Sequence, residues 1–353
     1  MAVDKNVYQN AGDYTLNDGV LIVGSSGEKI NIYSQVRELN IYQSIDSPYM
    51  SGNIVIADAE GVAEILPFLG QERLLFMLQT PSHEGTVDFN EYNAIIYNVE
   101  TRFHTSDRKQ SLVLNWTSLE HYKNIRTKIS AAFDGMISEI VETILIDDNY
   151  LSTNKPIYID WTKNIRKYVI PNLNPFQTIE LLRKEAVSAE EQAPHFLFYE
   201  NPNGFHFRSL DSLIGSQGDL SVDHKKTYTF EPPQENEPPT DTATTILHWE
   251  VEDNTNNFLS TKLGMFGSTL YYHDIFNKNI QKFEFDYTKD SFAIRNSTNQ
   301  EDKKSGTVVS QGIIDKKKTI TEFPDSKIFV HPTASDKLYS YGTDNNAEEW
   351  LQE

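Results

Sequence analysis

The chain has 353 residues and no cysteine, and its 51 acidic residues outnumber 31 basic ones to give a formal net charge of −20. The missing thiols exclude disulfides, thiolate zinc sites, iron–sulfur clusters and cysteine catalysis. The charge repels a phosphate backbone and argues against tight, sequence-neutral duplex binding.

The length allows two or three domains, and 18 Tyr with 19 Phe favour a strand-rich fold. Met1-Ala2-Val3-Asp4-Lys5 opens no basic-then-apolar secretory segment. The longest apolar runs, such as Gly19-Val20-Leu21-Ile22-Val23, fall far short of a membrane span. The expectation is a soluble protein made in a cytoplasm.

Residues 1–16 read as a polar arm. From Gly19 to about Asn115 the pattern is almost all strand. Ile30, Ile32, Val36, Leu39, Ile41 and Ile45 partly alternate. Asn53–Ala57 is a short strand ended by Asp58-Ala59-Glu60-Gly61, where Asp bonds nearby amides and Gly accepts positive φ. Strands follow at Leu74–Gln79, Ile95–Glu100 and Ser111–Asn115, the last two split by a polar loop at 105–109. Five or more short strands with tight turns predict a barrel or sandwich over residues 1–115.

At Thr117 the character changes. Thr117-Ser118-Leu119-Glu120 has capping-box spacing. Ile129, Phe133, Met136, Ile137, Ile140, Val141 and Ile144 recur at threes and fours, predicting a helix over about 127–146. Asn174 as N-cap, Pro175 at the first helical position and Gln177 three residues on predict a second helix reaching Ala186. Phe196–Glu200 and Phe205–Arg208, joined by Asn201-Pro202-Asn203-Gly204, predict a hairpin. Residues 116–215 therefore read as an α/β domain.

Residues 216–353 return to strands, around 223–230 and 246–251, flanking a loop stiffened by Pro232, Pro233, Pro238 and Pro239. A short helix at 253–263 stops at Gly264. Strands at 269–274 and 281–287 follow, then a polar stretch at 288–327. The last residues, 340–353, read as the start of a helix rather than the end of a protein, as in a chain cut from a longer one.

No chemistry-bearing constellation stands out. The nine histidines show no His-Glu-x-x-His spacing. His273-Asp274 is an ordinary strand pair whose side chains face opposite ways. His206, between Phe205 and Phe207, is expected on the solvated or interface side of its strand. Gly24-Ser25-Ser26-Gly27 reads as a turn, since no lysine and no helix follow it. Glu72, Glu100, Glu200, Glu284 and Asp286 are candidate carboxylates for glycoside hydrolysis only by abundance, because nothing ties two of them across a cleft. No catalytic, cofactor-binding or metal-binding residue is assigned, and no cofactor is expected.

Three stretches carry a resemblance. The first is Pro48-Tyr49-Met50-Ser51-Gly52 before the strand ending at Asp58 and Gly61, then Leu66-Pro67-Phe68-Leu69-Gly70-Gln71-Glu72. The second is Trp161, then Val169 to Asn174-Pro175-Phe176, the helix and the aromatic hairpin. The third is Gly264-Met265-Phe266-Gly267 with Tyr272-His273-Asp274 and Phe283-Glu284-Phe285. In this order they resemble baseplate hub proteins of contractile-tailed bacteriophages. The upper part of type VI secretion spikes is similar to the same hub.

The resemblance implies a β-rich multidomain (α+β) fold, with two tail-tube-like β-barrel or sandwich domains joined by the α/β domain. The second, over 216–353, would be incomplete at its C-terminus, because the family has further strands after the region matching Trp350. It implies a homotrimeric ring in the virion baseplate, assembled in the bacterial host cytoplasm. The tail tube would lie above, the central spike below and wedge proteins around it. DNA would pass through an acidic lumen without specific binding, and this chain would do no chemistry. Two other readings stay open: a cell-wall or polysaccharide hydrolase using a carboxylate pair, and a carbohydrate-binding tail adhesin marked by exposed Trp or Tyr platforms.

Overall fold

The computed structural model describes residues 14–24, 27–58, 61–62, 68–79, 87–92, 94–106, 109–190, 194–214, 229–230, 245–246, 248–250, 257–274, 278–286 and 323–333. The fold is mixed α+β and rich in strand. Its first element is an antiparallel sheet of β1 (Thr15–Val23), β2 (Lys29–Asn31), β3 (Val36–Tyr42), β4 (Ser51–Asp58), β5 (Arg73–Gln79), β6 (Val87–Asp88), β7 (Ala94–Ser106) and β8 (Lys109–Ser118). The order is β2-β1-β5-β7-β8-β4-β3, with β6 paired to β5. A one-turn helix, α1 (Phe89–Tyr92), follows β6.

Chain connectivity forces this sheet to curl. Its edge strands β2 and β3 are consecutive in sequence, separated only by Ile32–Gln35. A flat sheet at ~4.8 Å per strand would hold the edges about 29 Å apart. The five Cα steps from Asn31 to Val36 reach at most ~18 Å. The sheet bends into a half-barrel. It does not close, because among the described residues β2 and β3 pair only with β1 and β4. The closed barrel that the sequence allowed is thus corrected to an open curl.

Alternation drives the packing. Along β4, Gly52, Ile54, Ile56 and Asp58 point inward and the residues between them are half-buried. Leu112, Leu114 and Trp116 do the same along β8. Trp116, fully buried, meets Phe76 and Phe89 edge-on. Gly52 lies opposite Trp116, and a Cβ there would sit 2.1 Å from the Asn40 carbonyl oxygen and 2.4 Å from the indole. Only glycine lets β3, β4 and β8 approach at this point.

A second core lies in the region 119–214. It contains α2 (Leu119–Arg126), β9 (Ile129–Gly135), α3 (Ile137–Ile146), β10 (Ile157–Ile159), β11 (Arg166–Leu173), α4 (Pro175–Arg183), β12 (Phe196–Asn201), β13 (Gly204–Ser209) and α5 (Leu210–Ile214). β9 pairs with β11, and β10-β13-β12 form a mixed three-stranded sheet. Ile140, Val141 and Ile144 of α3 and Ile179 and Leu182 of α4 pack with Phe196, Phe198, Phe205 and Phe207. Gly204 is again a close approach, since a Cβ there would lie 2.1 Å from the Pro156 carbonyl oxygen.

One predicted helix divides. Residues 129–135 are strand β9, and the helix begins only at Ile137, where Glu139 accepts a hydrogen bond from the Met136 N–H at 3.1 Å. The four-residue step from Ile129 to Phe133 fits a period of 2 as well as 3.6, and pairing with β11 decides it. α4 also ends at Arg183, before Ala186, although Ala186 stays fully buried.

Farther on, β14 (Thr229–Phe230) pairs with β15 (Thr245–Ile246). Helix α6 (Asn257–Leu263) ends at Gly264, whose φ of +89° suits glycine. β16 (Gly267–Asp274) runs between β17 (Asn279–Asp286) and β18 (Ile328–Thr333). Strand β18 falls just after the stretch read as polar and weakly periodic. The proline-rich loop, the arm before residue 14 and the final helix lie outside the described residues. No described helix is long and apolar enough to cross a membrane.

Replacing Gly52 with Ala is expected to destabilise the protein by about 3 kcal/mol. Urea unfolding followed by Trp fluorescence checks this, with Ala57→Gly on the opposite face of the same strand as a mild control.

Candidate functional site

Two arrangements concentrate polar side chains: a buried junction between the cores and, at the other end of β10, an open pocket. The junction begins with chain geometry. Consecutive residues serve different cores, Tyr49 packing against the second and Met50 buried in the first. The Tyr49 ring stacks on His121 of α2 with centroids 3.6 Å apart. The Met50 carbonyl accepts from the Ser118 N–H at 3.0 Å and the Thr117 hydroxyl at 3.2 Å, and its N–H donates to Glu200 Oε2 at 2.9 Å.

Glu200 in turn meets a buried lysine. Lys155 Nζ lies 2.5 Å from Glu200 Oε1 and 2.6 Å from Glu120 Oε2, and all three side chains are at most 4% exposed. Thr153 Oγ1 donates to Glu120 Oε1 at 2.7 Å, and the ammonium stands 5.5 Å from the centre of the Phe205 ring. Burial opposes the charge on Lys155, but Glu200 and Glu120 outweigh it and hold its pKa above the usual lysine value. Burial pushes the Glu200 carboxyl up, while Lys155 pulls it back.

Sequence spacing misassigned Glu120. Its carboxylate does not close a capping box on the helix that Ser118 begins; it turns inward to Lys155 and Thr153. Lys155 carried no sequence signal, because its partners lie 35 and 45 residues away. Two of the candidate acids are committed to structure. Glu200 sits in the junction. Glu72, 1% exposed, accepts from the N–H groups of Leu69, Gly70 and Gln71 at 2.7, 2.9 and 3.1 Å. Glu100 is exposed and accepts from Asn115, and Glu284 is exposed and pairs with Lys282.

The remaining residues singled out in sequence are spread through the fold. Ser51 opens β4 beside Gly52. Asp58 accepts from the N–H groups of Gly61 and Val62 at 2.7 and 2.9 Å. Gly61 and Gly70 adopt positive φ. Asn174 precedes α4 with Pro175 in its first turn, and Gln177 accepts from the Asn174 N–H at 3.2 Å. Gly264 ends α6 and Asp274 ends β16. Pro67 lies outside the described residues.

Trp161 alone of these lines the pocket, a concavity of roughly 330 Å³ bounded also by Asp160, Ser188, Glu190, Arg208 and Ser212. Asp160 accepts from Arg208 Nε at 3.3 Å, the Ser209 N–H at 2.8 Å and the Ser212 hydroxyl. Trp161 is 54% exposed. Among the described residues no group of three or more His, Asp or Glu side chains could hold a metal ion.

His206 corrects an expectation. It is not solvated: the ring is 8% exposed and lies between Tyr158 and Tyr199, with centroids 4.6 and 4.8 Å away. The register Tyr158–His206–Tyr199 across β10, β13 and β12 builds this stack. Burial, helped by the Arg208 charge, lowers its pKa to about 4.

No protein-family profile matches the sequence. No functionally curated protein matches it either. Among solved structures, the chain is similar to a tail protein from Neisseria meningitidis at 11% identity, over 96% of this chain and 74% of that one, with a TM-score of 0.44. A prophage tail protein from Listeria monocytogenes aligns at 11% identity over 90% and 72%, with a TM-score of 0.43. A component of the Escherichia coli type VI secretion system aligns at 12% identity over 48% of each chain, with a TM-score of 0.32.

Replacing Lys155 with Met strands two buried carboxylates and is expected to cost ~3–5 kcal/mol at pH 7. Burial already pushes the Glu200 carboxyl up and Lys155 pulls it back, so without the lysine Glu200 takes up a proton more readily and the loss shrinks as pH falls. Chemical unfolding at pH 7 and pH 5 reads the difference. His206 titrates in the folded chain near pH 4, below its ordinary value of 6.5. Between those values the unfolded chain binds the extra proton, so stability falls as pH drops from 6.5 toward 4. An NMR titration gives the pKa, and His206→Phe should flatten that part of the stability profile.

Proposed function

We propose that the chain is a structural component of a contractile tail baseplate, its central hub, and does no chemistry of its own. Three copies form a ring between tail tube and central spike, enclosed by wedge proteins. The ring's acidic lumen passes DNA during ejection without holding it. The boundaries 1–115, 116–215 and 216–353 divide the chain into first tube-like domain, α/β connector and second tube-like domain.

The observation that carries this reading is the junction at Tyr49-Met50. A hub transmits load between tube and spike, so its units must move together. Here a chain with no spacer threads one core into the other, and the contact is sealed by the Lys155 cluster. The order of the three sequence stretches supports the same reading, as do the turn-holding roles of Asp58 and Glu72. The hydrolase reading loses support, since Glu72 and Glu200 are buried in structural hydrogen bonds.

Native mass spectrometry of the full chain, alone or with its tail components, is expected to give three copies. A chain that stays monomeric in both preparations rules out the ring.

A further inference from the structure

The pocket at Trp161 is not used by the hub reading and does not depend on it. The geometry points to a binding site for a neutral saccharide, with Trp161 as stacking platform and Arg208 and Glu190 as hydrogen-bonding arms.

The platform is held in place by its backbone. The Trp161 carbonyl accepts from the Ala189 N–H at 2.9 Å, and the Lys163 N–H donates to the Val187 carbonyl at 2.9 Å. Thr162 and Ser188 form an isolated bridge between them. Four hydrogen-bonding groups thus fix the segment, while the indole stays half in solvent. Exposure alone does not mark Trp161, since Trp249 is 66% and Phe258 85% exposed; its fixed backbone beside a concave pocket does. An indole on a fixed frame at a concave rim offers an apolar face to a ligand at little entropic cost.

The polar wall selects the ligand. Asp160 Oδ2 is engaged by Ser209 and Ser212 and Oδ1 by Arg208, so its part is to aim the guanidinium. Among the described residues Arg208 spends only Nε in this way, which leaves both terminal nitrogens as donors. The exposed Glu190 carboxylate bonds to no described side chain and supplies acceptors. An anionic ligand meets Asp160 and Glu190, and a cationic one meets Arg208. A neutral ligand with adjacent hydroxyls, each both donor and acceptor, satisfies both arms. A pyranose ring adds an apolar C–H face for the indole. The volume stands at the small end of the ~300–1,000 Å³ usual for ligand sites, which fits a mono- or disaccharide.

The test uses the full chain and a panel of neutral mono- and disaccharides: glucose, galactose, N-acetylglucosamine, maltose, lactose and chitobiose. Saturation-transfer NMR reads ligand contact, and Trp fluorescence gives the affinity. At least one sugar is expected to bind with a Kd on the order of 1 mM. Trp161→Ala should weaken it at least tenfold, Trp161→Phe should recover most of the loss, and Glu190→Gln should weaken it severalfold with an unchanged unfolding midpoint. No transfer to any sugar at about 50 mM, roughly 50 times that Kd, overturns the proposal. So does equal binding by Trp161→Ala, or preference for a lysine-rich peptide over every sugar.

Discussion

A single ammonium group holds the middle of this molecule together. Lys155 lies between Glu120 and Glu200 in a space closed to solvent, with Glu200 also receiving the Met50 N–H. The four segments involved are far apart in sequence, and none can dock alone without leaving a charge unpaired in a dry interior. The cluster need not add much net stability over an apolar equivalent. What it imposes is a choice: either α2, the 153–155 segment, β12 and the turn before β4 all arrive, or the charges are stranded. That condition fixes how the two cores sit at their contact.

The consequences spread outward along the backbone. Two residues after Lys155 the chain enters β10, which pairs with β13 in parallel register. Gly204 permits that approach, because any side chain there would strike Pro156. The same pairing aligns Tyr158, His206 and Tyr199 into a stack that keeps the histidine neutral. On the other side, Met50 leads into β4 and the Gly52–Trp116 contact that sets the spacing of three strands. One feature resists this account. Gln35, at the corner joining the sheet edges, is buried, and neither amide atom bonds to any described residue; the described packing gives no reason for a polar side chain there.

Local chemistry was legible where it decides the outcome. The alternation of β4, the Asn174-Pro175 start of α4, the Gly264 stop and the hairpin at 196–209 were readable because each is settled within a few residues. Sequence reasoning failed where a distant partner decides. Ile129 to Gly135 became strand because β11 pairs with it, and Glu120 left its capping geometry because Lys155 offers a charge. Strand alternation puts His206 on the solvated or interface face of β13, an inference that holds for two-layer packing. Two neighbouring tyrosines then covered that face, and nothing in the order of residues along β13 announces them.

The junction and the pocket occupy opposite ends of the same two strands. Lys155 precedes β10 and Asp160 follows it, a span of five residues or about 17 Å. Along β13, Phe205 faces the ammonium and Arg208 reaches Asp160. The pocket's arms therefore stand on a strand pair anchored at its far end by buried ion pairs, and its platform on a separately bridged segment. A site on rigid elements loses little freedom when occupied, so even a shallow polar pocket can hold a weak ligand specifically. That rigidity is what makes an exposed indole at this rim a usable surface.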